Sequence, residues 1–232
     1  MKIDIKNIYG DIIYSHEEEH NSIGKTLEKA AKERADLSYA DLRCMDLSRL
    51  NLAYANLTFA NVSNSYFIGT NLDGANISYT KIIFGNFTGA NLINAHISRA
   101  NLTGSKFIGS DLTYANFAYS NLSGTNLRGA KLDGSDFTGA KYKEATFEKG
   151  LLQINGKKWF ILIFDNHIKI GCELHKTNEW EEFTDYEISI MDESNDTVSF
   201  LKANKEMILM LAKNHQSAND VPSVIVNAED EK

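Results

Sequence analysis

His16 and His20 bracket three glutamates in "SHEEEHNSIGKT" (Ser15–Thr26), the H-E-x-x-H spacing that binds zinc when a helix carries it. Gly24-Lys25-Thr26 ends the same stretch like the tail of a phosphate-binding loop. A third set lies far downstream, where Cys172 and His175 stand at metal-ligand spacing with His167 nearby. The corresponding chemistries are hydrolysis by metal-bound water, nucleotide binding, and structural metal ligation.

Each needs an element that the surrounding residues do not supply. Two histidines four apart share a face only on a helix, yet both precede Ser22, which reads as a helix N-cap. A phosphate loop needs a glycine five residues before Gly24, and Glu19 occupies that place. Two or three ligands at a strand end do not close a tetrahedral site. No catalytic residue, cofactor or metal is therefore expected, and His16, His20, Cys172 and His175 read as solvated or core side chains.

The chain has 232 residues and a net charge of −7. The charge is uneven. Residues 1–34 carry 6 basic and 7 acidic side chains, residues 35–149 carry 10 and 9, and residues 150–232 carry 8 and 15. The acidic excess thus lies in the last third. No apolar run is long enough to span a bilayer, the start lacks the apolar block of a secretion signal, and the two cysteines lie far apart. A cytoplasmic protein with no membrane segment is expected.

The main signal is a repeat. From Ala35 the sequence rhymes every five residues, "ADLSY ADLRC MDLSR LNLAY ANLTF ANVSN", and the register runs to Lys149, which makes 23 units. The third residue of every unit is apolar: 12 Leu, 6 Phe, 3 Ile, Val62 and Tyr142. The first residue is usually small, with Met45 and Leu50 as exceptions, and the second is mostly Asn or Asp. A period of five fits neither helix nor strand; it fits a chain that turns a corner every five residues with one large side chain inward per side. Four sides make a 20-residue coil, and that longer period is present. Leu52, Leu72, Leu92, Leu112 and Leu132 form one column, and Phe67, Phe87, Phe107 and Phe147, interrupted by Leu127, form another.

These units, written "ADLSY", "ANLTF", "ANLTG" and "SNLSG", resemble the pentapeptide-repeat family. The resemblance implies a mainly β protein built on a right-handed, four-sided β-helix. At about 4.8 Å per coil the rod would be roughly 28 Å long. Residues 1–34 read as a β-hairpin ("KIDIK", "DIIYS") and a capping helix with Ile23, Leu27, Ala30 and Ala31 inward and a Glu28–Lys32 pair. Residues 150–216 read as a small α/β domain: a three-stranded meander, a short helix capped by Thr177 with Trp180 and Phe183 inward, and a second helix with Val198, Leu201, Ile208 and Leu211 inward. Residues 217–232 read as a disordered acidic tail. "IKIGCELHKTNEWEEF" and the hairpin-helix start resemble segments of family members from bacteriophages and their hosts.

On the outward surface one corner column reads Tyr39, Phe59, Tyr79, Arg99, Tyr119, Gly139. The aromatic members Tyr39, Phe59, Tyr79 and Tyr119 are the candidate protein-binding surface, since exposed aromatics favour protein contacts. Glycine dominates the opposite corners at Gly69, Gly89, Gly109 and Gly129, which suits tight turns. The expected function is that of a non-enzymatic interaction or scaffold protein of phage type acting on a host-cell protein. Homo-oligomers through the C-terminal domain are an option, and direct nucleic-acid binding is not expected. One alternative is a DNA mimic that inhibits or protects a type II topoisomerase, against which the rod's net charge of +1 argues. Another is an enzymatic or metal site in the C-terminal domain.

Overall fold

The computed structural model describes residues 1–142, 145–146, 152–155, 160–164, 166–170, 173–184, 186–188, 195–217 and 224–227. The chain divides into two compact units, Met1–Phe147 and Glu148–Lys232.

The first unit begins with an antiparallel hairpin, β1 (Lys2–Lys6) and β2 (Ile12–Glu17). Helix α1 (Ile23–Lys32) follows, and the Ser22 side chain caps it by accepting the Lys25 N–H. Thr26, Leu27, Ala30 and Ala31 are its buried face. The expected Glu28–Lys32 pair is not formed. Glu28 instead accepts the backbone N–H of Asn51 at 2.8 Å, and Lys29 pairs with Glu33 at 2.9 Å. A carboxylate gains more from an unpaired coil-edge amide than from a mobile ammonium in water. The hairpin also joins the first coil, through Ile8 N–H to the Tyr39 carbonyl and Asp41 N–H to the Lys6 carbonyl. Leu50, too large for an ordinary first position, lies against Gly24 of α1, whose missing Cβ would stand 3.0 Å from a Leu50 methyl.

Residues 35–142 form coils of four sides. Parallel bridges join each second-position residue to its counterpart 20 residues on, from Asp36↔Asn56 to Asn121↔Lys141. Every large third-position side chain from Leu37 to Tyr142 is at most 5 % exposed, so the lumen is the core. Identical residues stack because successive coils share geometry: Phe67 on Phe87 at 4.6 Å, Phe87 on Phe107 at 4.8 Å, Phe117 on Phe137 at 4.9 Å between ring centroids. Most buried Ser and Thr at the first position donate to a carbonyl 23 residues earlier, as in Thr70 to Leu47 (2.7 Å) and Thr125 to Leu102 (3.0 Å), whereas Ser110 donates to Phe107 and the Ser120 hydroxyl is buried without a partner. Asn and Asp dominate the second position because their Oδ1 accepts the N–H two residues on and holds the chain into its corner; Asn71 to Asp73 (3.2 Å) and Asp136 to Thr138 (2.8 Å) are examples.

Among the described residues the parallel coil bridges end at Asn121↔Lys141. β3 (Lys141–Tyr142) pairs antiparallel with β4 (Ala145–Thr146), so the unit from Ala145 turns back on the previous one. A short antiparallel pairing satisfies this edge locally, without a further coil to pair with.

The described residues of the second unit hold a five-stranded sheet of order β8-β7-β6-β5-β9, two helices of six residues or more, and a helical segment at residues 186–188. The strands are β5 (Leu152–Asn155), β6 (Phe160–Phe164), β7 (His167–Ile170), β8 (Glu173–Lys176) and β9 (Val224–Asn227); the helices are α2 (Thr177–Glu182) and α3 (Asn195–Ser217). Ile161, Ile163, Ile168, Ile170, Trp180, Ile208 and Ala212 pack as its core, flanked by Phe183 and Leu211. Trp180 donates its indole N–H to the Ile168 carbonyl at 2.8 Å. The Val198 and Leu201 side chains lie outside the described ones.

Three expectations change here. The meander has a fourth strand, β8, paired antiparallel to β7. The cap of α2 is Lys176, not Thr177, with Glu179 accepting the Lys176 N–H at 2.9 Å. The stretch 217–232, expected to be disordered, contributes β9, which pairs parallel to β5. The run Val-Ile-Val is β-branched, and such residues gain from an open strand edge more than composition alone indicates.

Candidate protein-interaction surface

The corners explain the surface. At most corners the N–H of the next unit's first residue closes a turn onto a third-position carbonyl, as Ala40 does onto Leu37 (3.1 Å). The fifth residue between them has positive φ, as a type II turn requires. This holds for glycines, as at Gly69 (+64°) and Gly89 (+64°), and equally for Tyr39 (+60°), Phe59 (+60°), Tyr79 (+59°), Arg99 (+58°) and Tyr119 (+60°). A side chain in that region costs on the order of 1–2 kcal/mol. Four large aromatics at such positions along one corner therefore need a compensating contact.

The contact is a stack along the coil axis. Tyr39 lies on Phe59 with centroids 5.0 Å apart and planes at 7°, and Phe59 on Tyr79 at 4.7 Å and 20°. Tyr9, from the hairpin turn, extends the stack at 6.0 Å from Tyr39. Arg99 then stands between two rings, its guanidinium carbon 5.8 Å from the Tyr79 centroid and 5.1 Å from that of Tyr119. Tyr119 covers Gly139, where an added Cβ would fall 2.5 Å from the ring. Aromatic pairs of this kind contribute about 0.5–1.5 kcal/mol beyond burial, which offsets the corner strain. The outer edges of the rings stay in water: Phe59 is 41 % exposed, Tyr79 47 % and Tyr119 59 %.

The four aromatic residues singled out in the sequence thus fall into one contiguous ridge. Tyr9 and Arg99 belong to it as well. Arg99 was marked by the same 20-residue spacing, whereas Tyr9 lies outside the repeat and joins only through hairpin docking.

The chemistry suggested by the opening motif does not assemble. His16 lies in strand β2 beside Glu18 (3.2 Å), while His20 lies outside both the strand and helix α1 and is exposed. Lys25 pairs with Glu18 at 3.0 Å and donates to the His20 carbonyl, and Thr26 is buried on Asn21. His175 stands between Glu173 (3.4 Å) and Glu179 (3.6 Å), edge-on to Trp180 and Phe183. Cys172 lies outside the described residues. Among those described, no three His, Cys, Asp or Glu side chains are grouped to hold a metal ion. Cys44 is exposed at a corner, beside Arg43 forked on Asp41 at 2.7 and 2.6 Å, a pairing that holds the Asp41 carboxyl below its usual range. Among the described residues no helix is long and apolar enough to cross a membrane.

Family models agree with the repeat. One described as pentapeptide repeats (8 copies) matches residues 33–67 and 51–83, and one described as a pentapeptide repeat region matches residues 83–155. No curated protein matches the chain. Solved structures similar to it include a pentapeptide repeat protein, Rfr23, from the cyanobacterium Cyanothece 51142, with 21 % identity over 52 % of this chain and 96 % of that one, TM-score 0.28. HetL from Nostoc sp. strain PCC 7120, involved in heterocyst differentiation regulation, is 28 % identical over 48 % of this chain and 61 % of its own length, TM-score 0.22. QnrB1, a plasmid-mediated fluoroquinolone resistance protein, is 16 % identical over 44 % of this chain and 74 % of that one, TM-score 0.21. The repeat register, the stacked coils and the two family models together make the chain a member of the pentapeptide-repeat family.

Proposed function

We propose that the protein is a non-enzymatic interaction protein, cytoplasmic, that presents the corner ridge Tyr39–Phe59–Tyr79–Tyr119 to another protein. One observation carries this reading. Tyr39, Phe59 and Tyr79 are held in one stack that Arg99 continues to Tyr119, yet Phe59, Tyr79 and Tyr119 leave about half their surface in water. A stack fixed in this way loses little conformational entropy on binding, which is where much of the cost of association lies. The resemblance of the hairpin-helix start and the C-terminal segment to phage-type members supports a target in a host cell. In this reading residues 1–34 cap the coils, and the acidic α/β unit serves self-association or a second contact.

The test is affinity capture from a bacterial lysate, comparing the full chain with Phe59→Gly/Tyr79→Gly and with Tyr114→Gly. Glycine keeps the positive-φ corners unstrained, so the variants should fold. Proteins retained by the full chain and by Tyr114→Gly, but lost from the ridge variant, are expected. Equal retention by all three refutes the ridge.

A further inference from the structure

Arg99 differs from the rings around it. Its guanidinium is flanked on both sides, by Tyr79 and Tyr119, and among the described residues it has no carboxylate or hydrogen-bond acceptor. Elsewhere on the coils, Arg43 is forked on Asp41 and Lys131 bonds Asp111 at 3.0 Å. From Phe59 to Tyr119 the sequence around the corner is one-signed, whereas the Tyr39 coil carries Asp36 and Asp41. The stretches 55–63, 75–83, 95–103 and 115–123, which carry the corner and both flanking faces over four coils, contain Lys81, His96 and Arg99 and no Asp or Glu. Lys81 is bridged to Asn101, two residues beyond Arg99, and His96 lies three residues before it. All three side chains are exposed. A protein of net charge −7 thus carries Lys81 and Arg99, and no acidic side chain, along the Phe59–Tyr119 part of its ridge.

We propose that Arg99 anchors a carboxylate of an acidic peptide segment of the partner protein. This rests on the ridge being the interaction surface and adds the chemistry of its occupant. The two rings flank and restrict the guanidinium before binding, while its N–H edge can still donate. A planar fork so held suits bidentate carboxylate recognition. The rings on either side supply apolar contact for neighbouring aliphatic side chains of the peptide. A nucleic acid is a poorer match. Duplex or single-stranded binding depends on many phosphate contacts, and Lys81 and Arg99 on an acidic protein offer few.

The experiment uses the full chain and a fluorescein-labelled peptide of about ten residues alternating glutamate and leucine, read by anisotropy at low salt. Wild type and Arg128→Gln, a variant of an exposed arginine on another face, should bind alike. Arg99→Gln should weaken binding roughly tenfold or more, as expected for a charge-assisted pair, and Arg99→Lys should fall between them because it keeps the charge but not the fork. Melting curves of both variants exclude loss of fold. Unchanged binding by Arg99→Gln, no binding of the peptide at millimolar concentration, or its displacement by a single-stranded oligonucleotide of equal charge would each overturn the proposal. A captured partner lost from Phe59→Gly/Tyr79→Gly but kept by Arg99→Gln would sink the anchor and leave the ridge standing.

Discussion

Replacing Gly74 by alanine should cost clearly more than replacing Gly89, although the two corners have nearly the same backbone (φ +61° and +64°). Both substitutions place a Cβ in the left-handed region, at a cost on the order of 1–2 kcal/mol each. At Gly89 nothing stands within 4 Å of the new atom. At Gly74 the Cβ would fall 2.5 Å from the Tyr54 ring, which covers this glycine from the coil before. The ring must swing away. Tyr54 is 61 % exposed, so about two-fifths of its surface is buried. For a side chain of its size that is roughly 60–100 Å², or about 1.5–2.5 kcal/mol if the contact is lost entirely. Partial relaxation leaves an expected excess of roughly 1–2 kcal/mol for Gly74→Ala over Gly89→Ala. The assay is urea unfolding followed by far-ultraviolet circular dichroism, because both tryptophans lie after Phe147 and do not report on the coils. A double-mutant cycle isolates the ring: in a Tyr54→Ala background the excess should vanish. Equal costs at the two glycines, or an excess that persists without the ring, would refute the ring-over-glycine reading of the corners.

Leu92→Asp should abolish soluble folding, since Leu92 is fully buried in mid-column and a charge there has no hydration or partner; Asn94→Asp, two residues on at an exposed positive-φ corner, should melt like wild type. Tyr14 is pushed up to about 12 by burial and by the Glu33 carboxylate that its hydroxyl meets at 2.7 Å. Its folded value exceeds the ordinary 10, so its contribution is present below pH 10 and lost as pH rises through about 12. Tyr14→Phe should therefore lose less stability than wild type across that window in pH-dependent melts. The full-length protein should not inhibit DNA supercoiling by gyrase at micromolar concentration. Mixed charges along the coils nearly cancel beyond a Debye length of about 8 Å, and strong salt-sensitive inhibition surviving deletion of residues 150–232 would reverse that expectation. Protein purified without added zinc should melt alike with and without chelator, and a large chelator-induced loss would restore the candidate ligand pairs His16/His20 and Cys172/His175.

The sequence alone determined the coil. A five-residue rhyme within a 20-residue one admits few structures, because each large third residue must find the lumen and each identical residue its neighbour in the next coil; Leu52, Leu72 and Leu92 could be assigned inward without coordinates. Ser22 as N-cap and the hairpin before it were legible for a similar reason, being set by contacts a few residues apart. What the tertiary structure decided are relations between coils and across longer separations. That Tyr39, Phe59 and Tyr79 share the backbone of the glycine corners is invisible in composition, since glycine advertises positive φ and tyrosine does not; stacking on the next coil offsets its cost. Glu28 reaching Asn51 instead of Lys32, and Tyr9 joining the aromatic column, depend on the docking of the hairpin and helix. Val224–Asn227 looked like part of a polar tail because its pairing partner, Leu152–Asn155, lies some seventy residues away, and a strand that borrows its hydrogen bonds from so distant an edge leaves no local signature.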